Sequence, residues 1–110
     1  MKNYTPDNWV VIKMKSDAPH YRVLAGWSGN YLVDNLAWRM NSGITKVEEN
    51  GGYYNFSGFS GSTYHCGKEF YGLKMNNAYI LEKLKVQHGD KVELIPEDTD
   101  WMKVDWILSS

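Results

Sequence analysis

The side chains able to make or break bonds are few: one thiol, Cys66, and three imidazoles, His20, His65 and His88. A Cys-His pair is the first chemistry to consider, because an imidazole within hydrogen-bond reach of a thiol can take its proton and leave a nucleophilic thiolate. His65 and Cys66 are adjacent in a run that alternates as a strand, so their side chains point to opposite faces and cannot meet. Cys66 reads instead as a small buried core residue, and a lone cysteine leaves neither an internal disulfide nor a Cys-based zinc site. His88 closes a helical stretch, where a protonated imidazole is favoured by the carbonyl end of the helix. Glu97, Asp98, Asp100 and Asp105 crowd the C-terminal segment and could hold a divalent cation, yet the glycine and terminal glutamate of a calcium loop are missing. Gly26-Trp27-Ser28-Gly29 and Gly58-Phe59-Ser60-Gly61 lack the Gly-Lys-Ser/Thr ending of a phosphate loop and read as turns. No catalytic residue, metal ligand or cofactor site is assigned.

Aromatic residues offer the better functional lead. The chain carries 5 Trp, 8 Tyr and 3 Phe, more than one small core requires. Large rings are the default filling of small β-rich cores, so most of them are structural. The surplus points to Trp27 and Tyr31 flanking a turn, to Tyr53 on a polar strand face with His65, to Arg39 nearby, and to Trp101 and Trp106 among acidic residues. Exposed Trp and Tyr supply contact area at low entropy cost, which suits a protein partner. Rings also stack on unpaired bases, but that use needs interleaved cations, and only Lys46, Arg39 and Lys68 are near. The net charge of −1 gives no global pull toward nucleic acid or anionic membrane. Two readings from different classes stand. One is a small interaction or accessory module that takes a protein on an aromatic patch or adds a strand at a sheet edge, with homo-oligomerisation left open. The alternative is a small, metal-dependent hydrolase in which the C-terminal carboxylates converge on His20, His65 or His88.

These residues must be positioned by strands. Asn50-Gly51 is a strong signal for a type I′ hairpin turn, since both central residues need positive φ. A two-residue loop there sets Val47 opposite Tyr54 and Thr45 opposite Phe56. A second loop, Phe59-Ser60-Gly61, sets Phe56 opposite Tyr64 and Tyr54 opposite Cys66. One face of the resulting three-stranded meander carries Thr45, Val47, Tyr54, Phe56, Tyr64 and Cys66 as core. The other carries Ile44, Lys46, Glu48, Tyr53, Asn55, Ser57, Thr63 and His65. Upstream, the apolar runs Trp9–Met14 and His20–Gly26 form a hairpin, and Leu36, Trp38 and Met40 alternate toward the core of a further strand. Downstream, Asn76 or Asn77 caps a helix through Ala78–His88 that stops at Gly89, with Ile80, Leu81 and Leu84 on its docking side. Asp90–Pro96 alternates as a final strand.

The fold class is therefore α+β: one small domain over residues 1–110, mainly antiparallel sheet with one helix packed on it and with loose ends at 1–8 and 107–110. A chain of 110 residues with 43% hydrophobic content buries a core without staples. It has no run long enough for a membrane span and no apolar segment of a signal peptide at its start, so a cytoplasmic location is expected.

The runs Tyr21–Leu32 and Trp38–Glu49, the Tyr53–Cys66 meander and Asp98-Thr99-Asp100-Trp101 resemble short uncharacterised proteins of marine tailed phages, notably cyanophage-like ones. The resemblance covers most of residues 9–106. It implies expression in a bacterial host cytoplasm and brings no activity, catalytic residue or cofactor with it.

Overall fold

The computed structural model of the chain describes residues 2–16, 18–27 and 37–106. Eight strands occur among them: β1 (Asn3–Tyr4), β2 (Asn8–Met14), β3 (His20–Trp27), β4 (Ala37–Met40), β5 (Ile44–Asn50), β6 (Tyr53–Gly58), β7 (Thr63–Gly67) and β8 (Val92–Leu94). A single α-helix, α1, spans Met75–His88, flanked by short 3-10 turns at Lys68–Phe70 and Gly89–Lys91. The first sheet runs β1-β7-β6-β5 and the second β4-β3-β2-β8. Among the described strands all pairings are antiparallel except β1 with β7, and an isolated parallel bridge joins Trp9 to Tyr71. This is the α+β domain that the periodicities indicate.

The layers follow from alternation. In β2 and β3, Trp9, Val11, Val23 and Ala25 face the first sheet, where they meet Ile44, Phe56, Tyr64 and Cys66. The intervening residues Val10, Ile12 and Leu24 face the helix and meet Ile80 and Leu81. Both faces of the second sheet are thus covered, whereas the first sheet is covered on one. Helix α1 begins earlier than its asparagines suggest, with Lys74 as N-cap: Asn76 is engaged in the interior, and Asn77 supports the cap from within the first turn. Asn76 and Asn8 exchange side-chain hydrogen bonds of 2.9 and 3.1 Å in the interior. Asn77, three residues inside the cap, accepts the Lys74 N–H at 2.9 Å and donates to the Leu24 carbonyl. The helix stops at Gly89, whose φ of 62° continues the chain in the left-handed region. Ile80 and Leu81 are buried, Leu84 only half-buried, and His88 exposed.

The meander departs from its expected register in an instructive way. Asn50 pairs with Tyr53, and Val47 with Phe56 rather than Tyr54. The two loop residues are therefore Gly51 and Gly52. Gly51 has a φ of 60° while Gly52 is not positive, the sign pattern of a type II′ turn, and no non-glycine among the described residues has positive φ. Asn50 is thus a strand residue and not part of a type I′ turn. Moving the turn by one residue slides the pairing by two, so every side chain keeps its face: Val47, Tyr54, Phe56, Tyr64 and Cys66 point inward as expected. A β-bulge between Ile44 and Lys46 then reverses the order at the start of β5. Ile44, expected outside, becomes a core residue in place of Thr45. The second loop is as expected, with Phe56 opposite Tyr64 and Tyr54 opposite Cys66.

Two further expectations meet the structure differently. Trp38 shares a face with Met40 and pairs with Gly26, but while Met40 packs against the helix-side cluster, Trp38 stays 44% exposed. Leu36 lies outside the described residues. Residues 2–8 are tied in and not loose: Asn3 and Tyr4 pair with Thr63 and Tyr64, and Asn8 is buried. No helix is long and apolar enough to cross a membrane among the described residues.

Candidate functional site

The open face of the first sheet is built by three adjacent strands and a short fourth. Cross-strand pairing stacks Glu48, Asn55 and His65 in one row and Asn50, Tyr53 and Gly67 in the next. The parallel strand β1 brings Thr5 beside His65 by continuing the pairing of Asn3 with Thr63 and Tyr4 with Tyr64. Together Thr5, Asn50, Tyr53, Asn55 and His65 line an open depression of 290 Å³. Tyr53 also borders a second depression of 350 Å³, lined further by Gly52, Gly67, Lys68, Glu69 and Phe70. The Tyr53 side chain, 42% exposed, therefore stands between two hollows.

Within the first hollow His65 and Asn55 form a polar pair, His65 Nδ1 lying 2.7 Å from Asn55 Oδ1. The amide oxygen can only accept, so Nδ1 donates to it and Nε2 is left as the acceptor of the neutral ring. The second hollow depends on Gly67. A Cβ there would lie 2.4 Å from Cδ2 of Phe70, so the absent side chain lets the Phe70 ring lie over the strand. Glycine opposite Tyr53 also leaves that tyrosine without a side chain facing it from β7, so that Asn50 on β5 is its one cross-strand side-chain neighbour among the described residues.

The remaining residues singled out in the sequence divide into three. Trp27 and Arg39 gather around Tyr4: the Arg39 guanidinium lies 4.6 Å over the Tyr4 ring, and Trp27 meets the same ring edge-on at 6.3 Å. This cluster touches the hollow through Thr5, whose carbonyl accepts the Trp27 Nε1–H at 3.1 Å. Tyr31 lies outside the described residues. Trp101 and Trp106 are core residues, 3% and 7% exposed, with the Trp101 ring near Trp9, Phe56, Tyr71 and Trp106; acidic neighbours in sequence do not put them on the surface. Tyr53 and His65 are thus brought together, Trp27 and Arg39 gather instead on the Tyr4 ring, which packs on inward-facing Tyr64, and Trp101 is in the core. Thr5 and Asn50 were not singled out. The Asn-Gly signal places Asn50 in a turn, and no feature of the sequence announces the parallel pairing that delivers Thr5.

The nucleophile and metal chemistries find no matching geometry among the described residues. Cys66 faces the core, and burial pushes its thiol well above its ordinary pKa, away from thiolate. His20 is engaged at both nitrogens, Nδ1 with the Ala18 carbonyl at 2.8 Å and Nε2 with Arg22 Nε at 2.9 Å. No group of three or more His, Cys, Asp or Glu among the described residues could hold a metal ion, so the C-terminal carboxylates do not converge on a histidine. Asp100 instead accepts the Met102 N–H and faces Lys103.

Set against models of protein families, curated proteins and solved structures, the chain matches none.

Proposed function

We propose that the chain is a small binding module that takes a protein partner on the open face of its first sheet, with Tyr53 as the central anchor. The observation that carries this reading is the exposed Tyr53 ring between two hollows on an otherwise regular sheet face. Aromatic anchors flanked by recesses are where binding energy concentrates in protein interfaces. Around the ring, Asn50, Asn55 and His65 offer directional hydrogen bonds. The hollows, of 290 and 350 Å³, fall at or near the lower limit for enclosing a small ligand and are open, which suits side chains of a partner surface better. The resemblance of its sequence to phage proteins supports a partner in a bacterial cytoplasm and an accessory or host-modulating role.

The test is affinity capture from bacterial lysate on the immobilised chain, followed by titration of the captured protein against the wild type, Tyr53→Ala and His65→Ala. Tyr53→Ala weakens binding by about 2 kcal/mol, roughly thirtyfold, and leaves thermal stability nearly unchanged. Equal capture and equal affinity by all three chains would remove the open face from the interface.

A further inference from the structure

The four sheet edges are unequal. Strand β1 has two residues, β8 three and β4 four, whereas β5 has seven, Ile44–Asn50. Among the described residues β5 pairs only with β6, and no other backbone hydrogen bond reaches residues 45–50. In a two-residue hairpin the closing pair exchanges both of its hydrogen bonds, and the bonded pairs then alternate along the strands. The closing pair here is Asn50 with Tyr53. The backbone groups of Asn50, Glu48 and Lys46 consequently turn to β6, and those of Val47 and Glu49 turn outward, unpaired.

Charged side chains on an edge usually deter pairing, because a chance partner strand presents no matching charge. A second copy of β5 does present one. Placed antiparallel about a two-fold axis at Val47, it sets Lys46 opposite the partner's Glu48 and Glu48 opposite the partner's Lys46, on the same open face. Val47 meets its own copy as a bonded pair, and Glu49 stands opposite the partner's Thr45. An axis at Glu49, the other outward residue of the regular part, would instead oppose two like carboxylates. The bulge between Ile44 and Lys46 interrupts the strand before an axis at Thr45 could be used. Lys46 and Glu48 are free to reach across, since their side chains are 64% and 68% exposed and their mutual ion pair of 3.3 Å lies along one strand. Glu49 is already neutralised by Lys68.

We infer that β5 is a self-pairing edge, through which two copies of this chain join their first sheets into one eight-stranded sheet in the register that opposes Lys46 and Glu48. The interface is a short ladder with two reciprocal ion pairs, so the dimer forms and dissociates with concentration and weakens with salt. It leaves Tyr53 and the two hollows uncovered and is independent of the binding role proposed for them.

Sedimentation of the wild type from about 10 μM to about 1 mM should show a monomer–dimer equilibrium, and the Val47 and Glu49 amides should exchange more slowly as dimer accumulates. Lys46→Glu alone and Glu48→Lys alone each replace two attractive pairs by two repulsive ones and raise the dissociation constant at least ~tenfold. Mixing those two variant chains restores association as a heterodimer, because every opposed pair is then attractive; mass-tagged chains in native mass spectrometry distinguish it from either homodimer. Three results would overturn the inference: a wild type monomeric throughout, a dimer indifferent to both substitutions, or two variants that stay apart when mixed.

Discussion

Strands β2 and β6 are both internal strands of four-stranded sheets, yet they spend their side chains differently. In β2 the five residues Asn8–Ile12 are buried in succession, because Trp9 and Val11 meet the first sheet while Val10 and Ile12 meet the helix. In β6 the interior takes Phe56 and leaves Tyr53 outside, with Tyr54, Asn55 and Ser57 between these limits. A strand covered on both faces has no residue to spare for a partner. A strand covered on one has a whole row, and that row holds Tyr53 and Asn55 with His65 beside them. The contrast explains why the candidate site lies on the first sheet and why the more hydrophobic second sheet contributes none of it.

The most severe way to break the contrast is to remove a ring from the covered face of β6. Phe56 is fully buried against Trp9, Trp101 and Trp106, so Phe56→Ala combines lost apolar burial with a cavity that a packed cage of indoles cannot collapse to fill. Urea unfolding should register a loss of about 3–5 kcal/mol. A loss below about 1 kcal/mol, typical of surface positions, would mean that the two sheets do not enclose a common core.

That Phe56 faces inward was legible, and so was most of the architecture, because period-two alternation constrains a sheet covered on one face more strongly than turn type does. The turn at 50–52 shows the limit. Asn-Gly and Gly-Gly are both good two-residue loops, and the choice between them changes each partner without changing any face. Ile44 was misread because a bulge adds one residue to the count, and nothing in Ile44-Thr45-Lys46 marks it. Trp101 was misread for a different reason: neighbouring acids indicate that the backbone is near water, whereas a large ring can still turn back into the core. Of the site, Tyr53 and His65 came from alternation, and Asn55 belonged to the same row. Thr5 came from a parallel pairing between segments sixty residues apart, which local pattern does not encode.

A smaller effect, spread over a pH range, separates inward from outward groups without altering a side chain. Burial pushes the phenol of Tyr64 up to about 12 from an ordinary 10, against the opposing influence of the Arg39 guanidinium. Burial likewise raises Tyr71 to about 12, against the effect of its hydrogen bond from the Val11 N–H. Between pH 10 and 12 the unfolded chain has released protons that the folded chain still holds, so it binds fewer, and unfolding free energy falls as pH rises. The contribution is complete below about pH 10, the ordinary phenol value, and is lost through about pH 12. The urea midpoint followed from about pH 8 to about pH 11 should stay level and then decline, and Tyr64→Phe should lessen the decline. A level midpoint throughout would show that these phenols titrate alike in the folded and unfolded chains.

The smallest expected effect is the one that gives the contrast its functional meaning. Tyr53 lies on the same strand as Phe56, three residues away and therefore on the opposite face, across from a glycine and bordered by two open hollows. Its ring has no enclosing cage, so Tyr53→Ala removes little burial and creates no cavity, only a wider depression. Chemical denaturation should find its stability within about 0.5 kcal/mol of the wild type, beside a loss several times larger for Phe56→Ala. A cost above about 1.5 kcal/mol would place the ring in a second packed layer. The open face of the first sheet would then be covered as β2 is, and Tyr53 would have to be withdrawn as an anchor whatever its effect on binding.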